Sequence, residues 1–556
     1  MTRAFDRCWT RLLVLATVVL IGPLVSTASA VTVPGNYPTI QAAINAVLNG
    51  SLPDGTTIDV QAGVFSEALA VANTNKSFTV RGLSGATQTF VDAAGKNAAA
   101  LTIYRATGQM VFKGLTFRNG APPVAAGGGF VIQESSPSFV DCIFESNVAS
   151  SGAGGTLITS SATFTGCIIR NNRAARSGGG VYMVDGSRPV FTQCDITGNR
   201  SGTGGSGVGN AGVGGGVDAR NSSPTFVGSR IDANVSTFAG GGIYHGGEFG
   251  SPYGRATLVV QDTEINDNVT APFSPSDPPA EGGAIHIEDN AIATLTRARI
   301  LRNKANTGGG LNAYRARYDI VDSTVDSNQA TGRTDGGFGG GINAMSTNVG
   351  TVRPASIVTL TGSLVRNNVG ITGGGVVVTG DVNLPATLTL SGSVIDSNRS
   401  QSQGGGVLVS NAALTAGNSM IIRNVVSGDP VSPFGGGVMV TTSSSATFNG
   451  TTISGNTATL GGGIFLDGTS ALQMTGSNVY ANTATSRGGG IFVNGSQSGN
   501  VQTSTIADNT GGQGQIQEEP CGSLTYQSNT ITSPAFAGCS VGGRASGTSS
   551  GPPRFA

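Results

Sequence analysis

Residues 164–199 read FTGCIIRNNRAARSGGGVYMVDGSRPVFTQCDITGN and contain two copies of the pattern that decides the fold. Each copy has an aliphatic residue, two variable residues and an asparagine, as in Ile169-Arg-Asn-Asn172 and Ile196-Thr-Gly-Asn199. Between the copies lies a glycine block, Gly178-Gly-Gly-Val181, which is followed by strand-like sequence. Short β-branched segments separated by Gly and Asn turns predict β-strands, and no helical pattern of about 10–15 residues separates them.

The asparagine of this motif occurs thirteen times, and most copies are 25 to 35 residues apart, with a single gap of 40. A repeat of this length built from short strands predicts a parallel β-helix, in which each coil buries its apolar face against the next. Asparagine at one turn of every coil can form a ladder of amide hydrogen bonds, because neighbouring strands are about 4.8 Å apart. We predict this structural role for Asn147, Asn172, Asn199, Asn234, Asn268, Asn303, Asn328, Asn368, Asn398, Asn424, Asn456, Asn482 and Asn509.

The predicted fold class is all-β, a single right-handed parallel β-helix with a short N-terminal capping helix. Right-handedness is the rule for parallel crossover connections. The cap is predicted after Tyr37-Pro-Thr39, where Ile40, Ile44 and Val47 fall on one helical face. It would cover the first coil, which otherwise exposes a strand edge and the core.

The N-terminus has the character of a signal peptide. Arg3, Arg7 and Arg11 precede the apolar run Leu12–Leu24, and Ala28-Ser-Ala30 has the A-x-A form of a cleavage site. We therefore expect a protein that is secreted or held at the cell surface after cleavage near Ala30. No later stretch has the roughly twenty apolar residues of a membrane span, so we expect no transmembrane segment in the mature chain.

Changes in sequence character divide the chain into five predicted segments. The repeat is lost after Thr510, and the last residues are rich in Gly, Ser and Pro. The segments are a signal peptide at 1–30, an N-terminal cap and first coils at 31–118, β-helix repeats at 119–510, a C-terminal coil or cap at 511–541, and a disordered tail at 542–556.

Five cysteines remain after cleavage. Three consecutive repeats have a cysteine five residues before the motif asparagine: Cys142, Cys167 and Cys194. This spacing predicts a column of buried free thiols. The alternative is a disulfide bridge between two neighbouring cysteines of the column. Cys521 and Cys539 bracket the last strand-like run, and we predict a disulfide between them. No metal site is implied by these cysteines, and no cofactor is expected.

Composition excludes some functions. The 556 residues include 31 basic and 31 acidic side chains, so no basic field is present to bind nucleic acid. Gly occurs 88 times without a strict G-X-Y period, which excludes collagen. The 38% of hydrophobic residues is enough for a packed core, so a wholly disordered chain is not expected.

The N-terminal sequence resembles the pectin-lyase-like superfamily of right-handed parallel β-helices, above all pectin methylesterases. The residues that carry the resemblance are Tyr37-Pro-Thr-Ile-Gln-Ala-Ala-Ile-Asn45, Ile58-Asp-Val-Gln-Ala-Gly-Val-Phe65 with Glu67, and Ser77-Phe-Thr-Val-Arg-Gly82. The resemblance implies the fold, but this fold carries many unrelated functions. The pectinesterase signatures that follow the cap are absent, and so is the adjacent Asp pair of polygalacturonases, so no catalytic residue is carried over.

The repeats resemble those of polymorphic outer membrane proteins, whose signatures are GGA[ILV] and FxxN. Gly282-Gly-Ala-Ile285 and Phe144-Glu-Ser-Asn147 match them, while most copies are relaxed to GGG[IV] and [IV]xxN. That family carries a C-terminal translocator barrel, and we expect no autotransporter route for this chain because the repeats are followed by only a short segment. The resemblance specifies the fold strongly and the activity only weakly. A structural or adhesive role is favoured instead by the thirteen regular repeats, the low charge and the lack of catalytic motifs.

One stretch, from about 216 to 318, breaks the repeat because the strand after each glycine block becomes polar there. His245 and His286 both lie two residues after Ile243 and Ala284, so we predict that they stack about 5 Å apart in adjacent coils. Long insertions flank the same coils, which suggests a groove. The candidate site residues are Asp218, His245, His286, Glu288, Arg315 and Arg317.

The sequence leaves two functions open. The first is an exported structural, adhesive or glycan-binding scaffold, with polysaccharide or cell-surface components as partners. The second is an enzyme acting on polyuronates, with His245 or His286 as base and Arg315 or Arg317 against the substrate carboxylate, or with Asp218 and Glu288 as a hydrolase pair. A polar strand face also arises simply because water touches it, and the offset of the two histidines is apolar in other coils, as at Val378 and Val409.

Overall fold

The repeats form successive coils of a right-handed parallel β-helix. The computed structural model describes residues 30–123, 126–204, 212–248, 250–272, 279–332, 337–347, 354–428, 433–495, 497–512, 514–519 and 524–531. Within these residues the fold is β throughout except for one helix, as the sequence predicts. Each coil contributes one strand to each of three long sheets, which we call A, B and C, and many coils add a short fourth strand in sheet D.

Sheets A and B follow each other directly along each coil. In the described residues sheet A has 18 parallel strands: Ala30–Val33, Thr56–Val60, Phe78–Gly82, Met110–Lys113, Ser138–Val140, Thr163–Thr165, Val190–Thr192, Thr225–Val227, Thr257–Gln261, Ile292–Thr296, Arg317–Val321, Ile357–Thr361, Ala386–Ser391, Ala412–Gly417, Ser445–Asn449, Ala471–Thr475, Ser498–Gln502 and Thr525–Gln527. Sheet B is formed by Gly63–Phe65, Thr89–Asp92, Thr116–Arg118, Ile143–Glu145, Ile168–Arg170, Asp195–Thr197, Arg230–Asp232, Glu264–Asn266, Arg299–Leu301, Thr324–Asp326, Leu364–Arg366, Val394–Asp396, Met420–Ile422, Thr452–Ser454, Asn478–Tyr480, Thr505–Ala507 and Thr530–Ile531.

Sheet D precedes the glycine block of a coil, and sheet C follows it. Sheet D consists of Val148–Ser151, Arg173–Ser177, Val235–Ser236, Val269–Thr270, Lys304–Ala305, Gln329–Ala330, Val369–Thr372, Arg399–Gln403, Val425–Val426, Thr457–Leu460, Thr483–Arg487 and Thr510–Gly511. Sheet C consists of Leu69–Thr74, Leu101–Ala106, Phe130–Gln133, Gly155–Ile158, Val181–Val184, Val217–Arg220, Ile243–Gly246, Ile285–Glu288, Leu311–Tyr314, Ile342–Met345, Val376–Thr379, Val407–Ser410, Val438–Thr441, Ile464–Leu466, Ile491–Asn494 and Ile516–Glu519.

The core lies inside the coil, where alternate strand residues meet in columns. Phe139, Phe164, Phe191 and Phe226 occupy one column of sheet A, and their rings stack with centroids 4.7 to 5.0 Å apart. Parallel in-register strands bring the same position of each repeat together, so one inward position of the repeat becomes one continuous apolar column.

The N-terminal helix, Ile40–Leu48, covers the first coil as predicted. The hydroxyl of Thr39 accepts a hydrogen bond from the backbone N–H of Ala42, which is the usual N-cap contact. The carboxylate of Glu67 accepts the free N–H groups of Ile40 and Gln41, so the positive end of the helix faces a negative charge.

The thirteen motif asparagines lie in one buried turn column and bond to one another. In each step, the backbone N–H and the side-chain amide of one asparagine donate to the side-chain oxygen of the next, as from Asn268 to Asn303 at 2.9 and 3.0 Å. The same amide also donates to a backbone carbonyl one coil earlier, that of Ile231 for Asn268. The ladder ends on Gln515, whose side-chain oxygen accepts from Asn509.

The residues five positions before these asparagines form a second ladder. The hydroxyl of Ser363 accepts the backbone N–H of Ser323, and Ser393 accepts from Ser363 in the same way. Cys142, Cys167 and Cys194 are buried free thiols in this column, and the thiol of Cys142 donates to the carbonyl of Phe112 at 3.3 Å.

Three earlier predictions fall on residues outside the described ranges. Cys521 and Cys539 both lie there, so their disulfide remains a prediction. The segment preceding Ala30 and the tail at 542–556 also lie there, so the signal peptide and the disordered tail remain predictions too. Among the described residues, no helix combines the length and apolar character needed to cross a membrane.

Candidate functional site

In the later coils, each sheet C strand points one residue outward beneath the segment that precedes its glycine block. From Asp218 to Phe492 this outer column of residues is buried. Its apolar half contains Val377, Leu408, Met439, Phe465 and Phe492, which pack with Phe338, Phe434 and Leu460 as a small second core. Its other half is polar and contains Tyr182, Asp218, Tyr244, His286, Asn312 and Asn343.

The two histidines do not stack, and that prediction is wrong. Tyr244 pairs with His286 across the strands, whereas His245 pairs with Ile287. The reason is that Ala284 takes the place of the third glycine of its block, so Ile285, and not Ala284, is the partner of Ile243. The one-residue shift sends the two histidines to opposite faces of the sheet, because side chains alternate along a strand.

His286 is held between two carboxylates. Its Nε2 lies 3.3 Å from Glu288 and its Nδ1 lies 3.4 Å from Glu281. The ring of Tyr244 stacks on the imidazole with centroids 5.5 Å apart, and the Tyr244 hydroxyl donates to Glu288. The amide of Asn312 donates to Glu281 at 3.1 Å and contacts the imidazole Nδ1 at 3.0 Å.

The electrostatics around His286 favour its protonated form. Burial lowers the pKa of His286, but the hydrogen bond to Glu288 and the charges of Glu281 and Glu288 outweigh burial, so the pKa is raised above its ordinary value. Burial likewise opposes ionisation of Glu288, but His286 and the Tyr244 hydroxyl bring the pKa of Glu288 down to about 2. Each ring nitrogen of His286 faces a carboxylate, so neither nitrogen is free to take a proton from a substrate as a general base.

Asp218 lies one coil from Tyr244 and has a fully buried side chain. Burial raises the pKa of Asp218 to about 6, although the nearby Arg220 guanidinium lowers it in part. Arg220 pairs with Asp218 at 3.2 Å, donates to the hydroxyl of Ser177, and lies over the ring of Tyr244, 5.3 Å from its centroid. The contact of Arg220 with the Tyr244 ring therefore extends the network of side-chain contacts by one more coil.

The network extends in the opposite direction through amides. Asn343 donates its side-chain amide to the side-chain oxygen of Asn312 at 2.7 Å. We call the set Asp218, Arg220, Tyr244, Glu281, His286, Glu288, Asn312 and Asn343 the polar cluster. The next residue of the column is Val377, where the apolar half begins.

The two predicted arginines lie outside the polar cluster. Arg315 occupies the turn after a sheet C strand and pairs with Asp289 at 2.6 Å. Arg317 lies in sheet A and pairs with Asp319 at 2.8 Å. The structure therefore does not bring these guanidinium groups together with His245 or His286, as the lyase hypothesis needs.

His245 points into the core and is fully buried between Ala219 and Ile287. Among the described residues neither ring nitrogen makes a hydrogen bond of good geometry, although the backbone groups of Ala256 and Ala219 lie near enough to favour the protonated ring in part. Burial lowers the pKa of His245 to about 4, so the ring is neutral at neutral pH. A neutral side chain enclosed by apolar neighbours has no route to a substrate.

We expect His245→Leu to stabilise the protein by about 1–2 kcal/mol at neutral pH, because leucine fills the same space without two unpaired nitrogens. The unfolded histidine protonates near its ordinary pKa and the folded one only near 4, so wild-type stability falls as the pH drops between those values. The wild-type protein should lose about 3 kcal/mol of unfolding free energy over this pH range, and the variant should not. Urea denaturation of both proteins at pH 4 and at neutral pH measures the loss. A variant less stable than wild type at neutral pH would contradict the placement of His245 in the apolar core.

Sequence reasoning missed Glu281 and Asn343 and did not select Arg220, Tyr244 or Asn312 as candidate site residues. A signal for Glu281 was available, because the residue before the glycine block is uncharged in neighbouring coils, as at Val213, Ala239 and Thr307. Among the described residues, no group of three or more His, Cys, Asp or Glu side chains is placed to hold a metal ion.

The sequence was compared with known proteins. Of solved structures, pectin methylesterase from carrot is 15% identical, with a TM-score of 0.27, and the match covers 59% of this chain and 89% of that one. A PL6 family alginate lyase, AlyGC, is 12% identical, with a TM-score of 0.17, and the match covers 90% of this chain and 99% of that one. No curated protein matches. None of these matches bears on the resemblance to polymorphic outer membrane proteins, which stays a prediction.

One family profile does match, that of the right handed beta helix region, over residues 99–317 and 388–550. The two ranges contain more than half of the chain, including all of the polar cluster except Asn343. The chain belongs to the right handed beta helix region family.

Proposed function

We propose that this protein is an exported scaffold that binds a glycan on the outer face of sheet C, at the polar cluster. The observation that carries the proposal is a network of side-chain contacts that spans five successive coils. Hydrogen bonds link the four coils from Tyr244 to Asn343. The Asp218 coil joins them through Arg220, which pairs with Asp218 and lies over the Tyr244 ring. Five strands spaced about 4.8 Å apart span about 19 Å. A site of that length suits an extended oligomer rather than a single small molecule.

Binding without turnover is favoured because each group proposed for catalysis is already engaged or enclosed. His286 faces two carboxylates, and His245 lies in the core. Arg315 and Arg317 are each paired with an aspartate. Catalysis needs a titratable group that is free to exchange a proton with substrate.

A second candidate, a glycoside hydrolase, is favoured by one observation. Burial raises the pKa of Asp218 to about 6, whereas His286 is the chief cause that lowers the pKa of Glu288 to about 2. Two carboxyl groups with pKa values this far apart suit the acid and the nucleophile or base of a hydrolase. Against it, the carboxyl of Asp218 is fully buried beside Arg220, so substrate access requires Arg220 to move away.

Export and display at the cell surface are part of the proposal and rest on residues 1–30. The basic residues, apolar run and A-x-A site of that segment are typical of a secretory leader. Recovery of a mature chain starting near Val31 from the medium or the cell surface would support export, and an intact N-terminus on intracellular protein would contradict it.

A glycan array and a cleavage assay on the same mature protein test the function. We expect binding to a subset of glycans that is weakened at least about tenfold by Glu288→Gln, with no product released. Glu264→Gln, on sheet B and outside the polar cluster, should leave binding within a few-fold. Product formation that is lost in Asp218→Asn and Glu288→Gln would establish the hydrolase instead, and the absence of any glycan binding would refute both candidates.

A further inference from the structure

We propose that the glycan recognised by the polar cluster carries protonated amino groups, as a deacetylated amino-sugar oligomer does, with the ammonium held by Glu281 and Glu288. The inference rests on the proposed function, which names a glycan but not its chemistry. Three observations support the inference: most hydrogen-bond donors of the polar cluster already have partners, its carboxylates outnumber its cations, and the buried side-chain oxygen of Asn343 has no hydrogen-bond partner among the described residues.

Most hydrogen-bond donors of the polar cluster are committed to internal partners. The amide of Asn312 donates to Glu281, and that of Asn343 donates to Asn312. The Tyr244 hydroxyl donates to Glu288, and the imidazole of His286 faces a carboxylate on each side. Arg220, the remaining donor, is 43% exposed, but its guanidinium already pairs with the buried Asp218, donates to Ser177 and lies over the Tyr244 ring.

The atoms left for a ligand are mainly acceptors. The side chains of Glu281 and Glu288 are 38% and 29% exposed, whereas the imidazole between them is only 3% exposed, so the two glutamates are the partly exposed members of this contact. Asn343, 2% exposed, is the end of the network, and its side-chain oxygen has no hydrogen-bond partner among the described residues. A buried acceptor without a partner costs about 1–3 kcal/mol and is satisfied by a ligand or water that donates.

Charge points to the same chemistry. The cluster contains the three carboxyl groups of Asp218, Glu281 and Glu288. They are opposed by the Arg220 guanidinium and the His286 imidazole, so carboxylates outnumber cations whether or not His286 is protonated. A polyuronate, with a carboxylate on each sugar, would bring like charge against the two exposed glutamates. An ammonium group instead supplies the missing cation and up to three donors.

The test uses three probes of equal length: a glucosamine oligomer, its fully N-acetylated form and an oligogalacturonate. Calorimetric titration of the mature protein should show the glucosamine oligomer binding at least about tenfold more tightly than the acetylated form, with affinity falling as salt is added. Oligogalacturonate should not bind. Glu281→Gln, which keeps the shape and removes the charge, should reduce affinity for the glucosamine oligomer about tenfold or more.

Glu264→Gln is the matched control, because Glu264 is a surface carboxylate on sheet B that pairs with Arg299 at 2.7 Å and lies outside the polar cluster. It should bind like wild type, and both variants should keep the wild-type circular dichroism spectrum. Equal binding of the acetylated and free oligomers, or unchanged affinity in Glu281→Gln, would overturn the inference while leaving glycan binding intact. Failure of all glycans to bind would overturn the proposed function itself.

Discussion

Gly339→Ala is expected to cost about 4 kcal/mol or more of the free energy of unfolding. Gly339 opens a glycine block with φ of +62°, and a Cβ placed on it would lie 2.3 Å from the carbonyl oxygen of Ile342. That oxygen belongs to the backbone of a sheet C strand, so relief of the clash requires the strand itself to shift. Chemical denaturation of the mature protein measures the loss.

Gly392→Ala is the control for the conformational part of this effect. Gly392 has a similar φ of +56°, but no atom lies within 4 Å of the position its Cβ would take. Its substitution should cost only about 1 kcal/mol, the price of the left-handed conformation alone. Equal losses at Gly339 and Gly392 would show that close backbone approach does not explain the glycine block.

Asn303→Ala is expected to cost about 3 kcal/mol, the second largest effect. The change leaves the backbone N–H and the side-chain amide of Asn268 without their acceptor, and the carbonyl of Ile265 without its donor. All three groups are buried, so water does not replace the lost partners at no cost. Thermal and urea unfolding of the variant measure the difference.

Asn383→Ala is the matched control, because Asn383 is exposed in a turn outside the ladder. It should change stability by less than about 0.5 kcal/mol. A loss at Asn303 no larger than at Asn383 would mean that the ladder contributes only its shape, and not hydrogen-bond energy.

The fold was predictable because its determinants repeat. The asparagine recurs at one turn and the glycine block at another, and a parallel solenoid converts each recurrence into a column. The capping helix was predictable from Thr39 and the apolar spacing of Ile40, Ile44 and Val47, which are local signals.

The candidate site was only partly predictable because it depends on register. The polar stretch of sequence indicated the right coils. The predicted register paired Ala284 with Ile243, whereas the structure pairs Ile285 with Ile243. A shift of one residue moves every side chain of a strand to the other face of the sheet. Glu281 joins the cluster from the segment before the glycine block, so its proximity to His286 follows from the path of the chain around that turn.

The central claim is that neither histidine serves as a free base, and NMR titration of the two imidazoles tests it most directly. The chain has only two histidines, so a single variant of either one assigns both signals. We predict that His286 titrates above 6.5, because the charges of two glutamates outweigh its burial, and that buried His245 titrates near 4. A histidine that titrates near 6.5 and shifts on addition of glycan would contradict the account and restore the enzyme hypothesis.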